Sequence, residues 1–198
     1  MKKDNARIVT DDFILRPWDE EDAEGLVFIA NNKKISDNLR DGFPYPYSID
    51  DARKFIHNAK HSGGISRAFA IVVDGVVAGS IAAYFKENVH RKNAELGYYL
   101  AEEYWGKGIM TKVVRCITQY LFYKFDIIRV YAQPFARNTA SRRVLEKAGF
   151  RLEAVLKNNI IKNDVVQDGC IYAVLKDEFE STVKCTFLTY GPENIKSS

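Results

Sequence analysis

Two glycines, Gly106 and Gly108, stand in the segment EEYWGKGIMTKVV, where an apolar strand is followed by a helix. Glycine costs about 1 kcal/mol relative to alanine inside a helix, so a pair at a helix start needs a reason. One alternative is a glycine-rich turn without a ligand. The other is an anion site, in which backbone N–H groups approach the anion at the positive end of the helix dipole. The spacing alone leaves both alternatives open.

Neither of two common nucleotide-binding motifs fits this segment. A Walker A loop requires GxxxxGK[ST], whereas here Lys107 lies between the two glycines. A dinucleotide-binding fingerprint requires a third glycine where this chain has Met110 or Thr111. The residues therefore exclude both motifs.

Composition limits the class of protein. The chain has 198 residues, which suits one domain, and its net charge of +3 is too balanced for a general nucleic-acid or membrane-binding surface. The N-terminus has no apolar segment of signal-peptide length, and no later segment approaches transmembrane length. These features predict a soluble protein that binds neither nucleic acid nor membrane directly.

The cysteines predict no metal site. Cys116, Cys170 and Cys185 are widely separated and odd in number, and there is no CxxC or Cys/His cluster. A zinc site is therefore not expected, and the simplest interpretation is a reduced, cytoplasmic compartment.

Periodicity and turn signals predict the element order β α α β β β α β α β β, an α+β or mixed α/β sheet. The last twenty or so residues show no clear pattern. The signals are a strand ending at Pro17, Asp19 as a helix N-cap, a capping box of Ser48 and Asp51, an Asp74-Gly75 hairpin turn, a helix over 109–124, a strand ending at Pro134, a helix from Asn138 to Gly149, and strands near 150–162 and 165–176.

ELGYYLAEEYWGKGIMTKVV, with NTASRRVLEKAGF about thirty residues later, resembles the GCN5-related N-acetyltransferase (GNAT) superfamily. Within it, the chain is most similar to the RimJ/RimL branch of ribosomal-protein N-terminal acetyltransferases. The resemblance implies a central, mostly antiparallel, twisted sheet of about seven strands with a V-shaped split and about four flanking helices. It also implies a single domain over 1–178, with 179–198 as a C-terminal extension of unknown structure.

The resemblance implies acetyl-CoA as cosubstrate, with no metal. In the family, (Gln/Arg)-x-x-Gly-x-(Gly/Ala) holds the pyrophosphate, and the pantetheine arm pairs with the preceding strand. Trp105 and Met110 depart from that pattern, but its contacts are chiefly backbone N–H groups. The implied cofactor-binding residues are Tyr98, Tyr99, Leu100, Trp105, Gly106, Lys107, Gly108, Ile109, Met110, Thr111, Asn138, Ser141 and Arg143.

Several of these residues have an ordinary structural alternative. Lys107 could be a solvated lysine, Asn138 a simple N-cap, and one of Tyr98 and Tyr99 a core residue. Arg143, like Arg137 and Arg142, could lie on a solvated helix face instead of contacting the 3′-phosphate.

The implied reaction is direct transfer of an acetyl group to a primary amine. Glu95 is the candidate base, and the alternative is a structural Glu hydrogen-bonded to loop amides. Many family members carry a tyrosine as general acid where this chain has Leu145. Ser141, another tyrosine or water remains for that role.

The acceptor site is predicted in the loop Arg40–Tyr47, with Phe43, Tyr45 and Tyr47 lining it and Asp168 as a further candidate. The alternative is a loop that packs on itself. The acceptor is a protein N-terminus, such as that of a ribosomal protein, or a small-molecule amine, and the enzyme is a monomer or homodimer. A second hypothesis is a weak or inactive GNAT-fold module that binds CoA or associates with ribosomes.

Overall fold

The computed structural model describes residues 6–189. The strands are β1 (Ala6–Val9), β2 (Ile14–Pro17), β3 (Ser66–Val73), β4 (Val76–Phe85), β5 (Asn93–Leu100), β6 (Arg129–Ala132), β7 (Arg151–Lys162), β8 (Val165–Leu175) and β9 (Thr186–Thr189). The helices are α1 (Ala23–Ala30), α2 (Lys33–Ser36), α3 (Ile49–Lys60), α4 (Ile109–Lys124) and α5 (Thr139–Lys147).

All the strands join one sheet, in the order β7-β8-β6-β5-β4-β3-β2-β1-β9. Neighbouring strands are antiparallel except β5 and β6, which are parallel. The predicted mixed α/β class is confirmed, but the sheet has nine strands rather than about seven. β1 and β9, of four residues each, are too short to show a clear alternation in the sequence.

The capping box and the hairpin turn are confirmed, whereas Asp19 caps the 3-10 turn Glu20–Asp22 and Asp22 is the N-cap of α1. Ser48 and Asp51 form the capping box of α3, with the Ser48 N–H donating to the Asp51 carboxylate over 2.9 Å. Asp74 and Gly75 have φ values of 50° and 80°, and a type I′ hairpin turn needs positive φ at both central residues.

The sheet separates two hydrophobic cores. On one face, the α4 residues Val113, Ile117 and Leu121 are buried among strand residues such as Ile81 and Leu96. On the other face, Leu26 of α1 and Ile56 of α3 are buried in a second core, together with Ala70 and Val72 of β3. The i, i+3, i+4, i+7 spacing of apolar residues over 109–124 predicts this buried stripe.

The sheet opens between β5 and β6. Their parallel pairing ends at Leu96 and Ala132, whereas β5 continues to Leu100. Beyond Leu96 the two strands part and leave a split. This split is the feature that positions the site, since β5 forms one wall of it, and after the 3-10 turn Glu102–Tyr104 the chain reaches the glycines before α4.

The C-terminal segment differs most from expectation. β9 pairs antiparallel with β1, from Ala6 with Thr189 to Val9 with Thr186. A disulfide joins Cys116 of α4 to Cys185, just before β9. The expectation of reduced cysteines is therefore wrong for this pair, while Cys170 is free and buried. The predicted extension 179–198 contributes a strand, and its residues 190–198 lie outside the described range.

Within 6–189, none of the helices is long and apolar enough to cross a membrane.

Candidate active site

The two glycines adopt backbone conformations that other residues rarely take. Gly106 has a φ of 74° and Gly108 a φ of 77°. A Cβ atom at either position would have no neighbour within 4 Å, so the left-handed conformation, not crowding, is what favours glycine here. Gly108 is the N-cap of α4.

The start of α4 presents backbone donors. The Lys112 N–H donates to the Gly108 carbonyl, and the preceding N–H groups have no carbonyl one turn earlier in the helix. The side chains of Ile109 and Met110 are buried in the core beneath, and that of Thr111 is half-buried. Met110 stands where the family has a small residue. Because its side chain is buried in the core, it does not fill the space in front of the turn.

The side chains around this turn are exposed. Lys107 is exposed, and its Nζ lies 5.4 Å from the centre of the Tyr104 ring. The Trp105 Nε1–H donates to the Leu100 carbonyl over 2.7 Å, which ties the turn back to the end of β5. Lys107 thus stays available to a ligand, whereas the indole N–H of Trp105 is already used within the chain.

The backbone of β5 directs alternate residues into the split. The Ala101 N–H donates to the Ala78 carbonyl at the end of β4, over 2.8 Å. By the alternation of an antiparallel pair, Tyr99 also bonds toward β4, while Tyr98 and Leu100 direct their polar groups away from it. Tyr98 and Leu100 are therefore the predicted residues whose backbone faces the split, and the backbone of Tyr99 does not.

A hydrogen bond joins β5 to α5. The hydroxyl of Tyr98 lies 2.9 Å from Ser141 Oγ on α5. Burial raises the pKa of Tyr98 well above its usual value, and the hydrogen bond to Ser141 lowers it less than burial raises it. The Ser141 N–H donates to the side-chain oxygen of Asn138, which confirms Asn138 as the N-cap of α5. Leu145 is fully buried in the core.

Of the three arginines near α5, two are bound within the chain. The Arg142 side chain donates to the Tyr172 hydroxyl and to the Ala136 carbonyl, each over 3.1 Å. The Arg137 side chain donates to the Gln167 side chain and to the Asp37 carbonyl. Arg143 is exposed and makes no such contact among the described residues, so it is the arginine left for a phosphate.

Glu95 is buried and paired with two cations. Its side chain is 8% exposed, and its carboxylate accepts from Lys86 Nζ over 2.6 Å and from Arg40 Nη2 over 2.5 Å. Burial raises the pKa of Glu95, but the hydrogen bond and charge of Lys86 and those of Arg40 together hold it below its usual value. A carboxylate with a lowered pKa and two charged donors is a weak proton acceptor, so this environment favours a structural role for Glu95, with side-chain cations rather than loop amides as its partners.

Arg40 and Asp41 begin the predicted acceptor loop and hold it to the sheet. Arg40 reaches Glu95 on β5, and Asp41 accepts from Lys162 Nζ on β7 over 2.9 Å. These two ion pairs connect the loop to strands on both sides of β6. Neither Lys86 nor Lys162 was predictable as a site residue, since a single lysine in or beside a strand gives no signal of its own.

The aromatic residues of the loop partly pack against one another. The ring centre of Phe43 lies 4.9 Å from that of Tyr47 and 5.2 Å from that of Tyr99. Tyr47 is buried, and burial followed by the charge of Asp51 raises its pKa to about 12. Tyr45 is 50% exposed. Tyr45 is therefore the loop aromatic most open to a ligand, while Phe43 and Tyr47 support the loop from beneath.

Asp168 is placed differently from the other acceptor candidates. Its carboxylate accepts from Lys157 Nζ over 2.7 Å and from the Asn158 N–H over 3.0 Å. The hydrogen bond from Lys157 is the largest influence that lowers the pKa of Asp168. These contacts give Asp168 a role in the β7–β8 hairpin and do not bring it together with the aromatic loop.

The arrangement fits acetyl-CoA as a cosubstrate. Backbone donors without a helical partner at the start of α4 suit a pyrophosphate, and the open edge of β5 can pair with an extended amide-containing arm. No group of three or more His, Cys, Asp or Glu residues that could hold a metal ion occurs in the described part of the chain.

Comparisons with known proteins agree with this geometry. Residues 12–151 match the model of the acetyltransferase (GNAT) domain family. "Probable N-acetyltransferase YjcK" of Bacillus subtilis (strain 168) is 39% identical over 45% of this chain, a match that spans only about half (49%) of that relative. "Uncharacterized N-acetyltransferase YoaA" of the same organism is 28% identical over 84% of this chain and 95% of the relative.

A solved structure has a similar fold over most of the chain. It is RimL, a ribosomal L7/L12 alpha-N-protein acetyltransferase, in complex with coenzyme A. RimL is 26% identical, with a TM-score of 0.78, and the match covers 86% of this chain and 97% of RimL.

Proposed function

Because the chain belongs to the GNAT acetyltransferase family, we propose that it transfers an acetyl group directly from acetyl-CoA to a primary amine. The observation that carries this proposal is the pair of left-handed glycines at the start of α4, next to the split between β5 and β6. A similar fold in RimL, which is solved with coenzyme A, supports the choice of cosubstrate.

Acetyl-CoA supplies an acetyl thioester, whose C–S bond breaks as the new C–N bond forms. The amine loses a proton and the thiolate gains one. An α-amine has a pKa of about 8 and an alkyl amine one of about 10, so at neutral pH the amine must lose a proton before it attacks. The enzyme's contribution is therefore to hold the amine in line and to provide a route for the proton.

We assign the residues of the chain as follows. The N–H groups of Ile109, Met110 and Thr111, with Lys107 and Arg143, hold the phosphates. The backbone of Tyr98 and the N–H of Leu100 pair with the pantetheine arm, since the Leu100 carbonyl already accepts from Trp105 Nε1. A backbone N–H of this segment polarises the thioester carbonyl. Ser141 lies near the sulfur and is the candidate proton donor to the thiolate, since Leu145 cannot donate.

The acceptor is, on this proposal, the α-amine of a peptide or protein N-terminus. The likeness to RimL, which acts on ribosomal L7/L12, supports this choice. The position of the acceptor loop Arg40–Tyr47 beside the split also supports it. A small-molecule amine is the alternative that the assay below includes.

Two measurements test the proposal. The first is thermal unfolding with acetyl-CoA, CoA and NAD at matched concentrations, since a ligand present at 100 times its Kd adds about 2.7 kcal/mol to the free energy of unfolding. We expect a shift with acetyl-CoA and with CoA but not with NAD. The absence of a shift with both CoA compounds would show that the glycine turn is structural.

The second measurement is release of free CoA thiol from acetyl-CoA in the presence of peptide and small-molecule amines. We expect amine-dependent release. Binding of CoA without any amine-dependent release would instead support a CoA-binding module without transfer activity.

A further inference from the structure

A pocket of about 310 Å³ lies beside the acceptor loop. Its walls come from the loop, from the chain just after β6, and from the β7–β8 hairpin. The polar lining residues are Arg40, Asp41, Gln133, Asn159 and Lys162, and Phe135 is among the apolar ones. The Arg40–Glu95 ion pair connects this pocket to β5, one residue before the β5–β6 pairing ends.

Lys162 has an unusual environment in this wall. Its side chain is 6% exposed, whereas that of its partner Asp41 is 81% exposed. A buried ammonium is costly unless it is paired, and here the only carboxylate lining the pocket is a solvated one on a surface loop. Asp41 therefore neutralises the positive charge of Lys162 only in part, and a second anion bound in the pocket would complete the neutralisation.

Arg40 offers further donors to the same space. Its side chain is 71% exposed, and its ion pair with Glu95 uses only Nη2. The Nη1 and Nε groups are not used in that pair. Nη2 carries a second N–H, so the edge of the guanidinium that combines it with Nη1 or with Nε can still bind a carboxylate through two parallel hydrogen bonds.

The balance of charge around the pocket is positive. Arg40, Lys86 and Lys162 are cations, against the carboxylates of Glu95 and Asp41, and both carboxylates already accept from these cations. An acceptor with additional ammonium groups, such as a polyamine, would meet like charges here, and both of these carboxylates are already paired.

We propose that the acceptor amine carries a carboxylate a few bonds away, and that Arg40 and Lys162 bind this carboxylate. The inference rests on the proposed transfer function and specifies its substrate class. Acidic peptide N-termini and free acidic amino acids share this chemistry, and a polyamine does not have it.

The test uses acceptors matched in everything but charge. Three tetrapeptide amides with a free N-terminal serine differ only at the second and third residues, which are both Asp, both Asn or both Lys. Free glutamate, glutamic acid diamide and spermidine distinguish a small-molecule source from a peptide source. The readout is kcat/KM from release of CoA thiol. We expect the Asp peptide to exceed the Asn peptide by about ten-fold, and the Lys peptide to be the poorest.

Two variants locate the effect. Arg40→Gln should reduce the ratio of the Asp to the Asn peptide to near one, and Lys162→Gln should reduce it in the same direction. Arg53→Gln removes an exposed arginine of α3 outside the pocket lining and should leave the ratio unchanged. If free glutamate is preferred over its diamide and both exceed the peptides, the carboxylate belongs to a small molecule.

Equal kcat/KM for the Asp, Asn and Lys peptides, with the same equality for glutamate and its diamide, would overturn this inference while leaving the transfer function intact. Preference for spermidine would also overturn it. No release of thiol with any acceptor would instead overturn the proposed function.

Discussion

The hydroxyl of Tyr98 on β5 lies 2.9 Å from Ser141 Oγ on α5, so one hydrogen bond connects a strand that borders the split to the helix that follows β6. Tyr98 also directs its backbone polar groups into the split, away from β4. One residue therefore presents an open backbone edge while its side chain fixes the distance to the opposite wall.

Removal of either hydroxyl should break the hydrogen bond. Removal of both should therefore destabilise the protein no more than removal of one. We expect Tyr98→Phe and Ser141→Ala each to lower the free energy of unfolding by about 1 kcal/mol, because each removes one buried hydrogen bond. The double variant should lose no more than the larger single loss. Urea unfolding of all four proteins measures this, and strictly additive losses would show that the two hydroxyls act independently.

The glycines of the turn should matter for CoA binding beyond their effect on stability. Gly108→Ala places a Cβ at a φ of 77°, which costs about 1–2 kcal/mol. If the turn holds the pyrophosphate, the Kd for CoA should rise about ten-fold, because the altered backbone moves the donors at the start of α4.

Gly75→Ala is a matched control for this variant. Gly75 has a φ of 80° and, like Gly108, open space where a Cβ would be, but it lies in the β3–β4 turn. The Gly75→Ala variant should lose a similar amount of its free energy of unfolding and keep its affinity for CoA. Equal losses of CoA affinity in both variants, measured by titration calorimetry, would mean that stability alone explains the effect.

The disulfide should account for a measurable part of stability. It closes a loop of 69 residues, for which the chain-entropy relation gives about 4 kcal/mol. Denatured protein without reductant should contain one reactive thiol, that of Cys170, and three after reduction. Cys185→Ala should unfold at a lower temperature and lose its sensitivity to reductant. Three thiols before reduction would show that the bond is not formed.

Local features of the site were predictable from the sequence, and its long-range contacts were not. The Gly106 and Gly108 turn, the Asn138 cap and the buried stripe of α4 depend on residues within a turn or two of one another, so spacing alone indicates them. The Asp41–Lys162 ion pair joins residues 121 positions apart. Nothing in the residues near either partner specifies the other, since only the folded sheet brings β7 beside the loop.

Glu95 shows how this limit affects a prediction of mechanism. The sequence places a carboxylate in an apolar strand, and an apolar setting raises a carboxyl pKa and makes it a better base. The structure adds Lys86 and Arg40, which come from the end of β4 and from the acceptor loop and which together reverse the direction of the shift. The direction of this pKa shift can be predicted only when it is known which cations the fold brings close to Glu95.

Replacement of Glu95 distinguishes a positioning residue from a base. In Glu95→Gln the amide cannot form the ion pair that holds Arg40 and its loop in place. We therefore expect KM for the acceptor to rise about ten-fold, with a smaller change in kcat. A base should instead lose about 10²–10⁴-fold in kcat with KM nearly unchanged. Steady-state kinetics at saturating acetyl-CoA separates the two outcomes. If Glu95 acts by holding the acceptor loop, Arg40→Gln should raise KM in the same way.

The same variant has a pH signature in stability. The folded pKa of Glu95 is lowered, so its ion pairs contribute fully above the unfolded pKa of about 4.3 and lose their contribution as pH falls through the folded value. We expect wild type to exceed Glu95→Gln by about 2 kcal/mol in free energy of unfolding at pH 7. The difference should shrink progressively below about pH 4. Urea unfolding from pH 3 to pH 7 measures this difference, and a constant or growing difference on acidification would contradict the ion-paired state of Glu95.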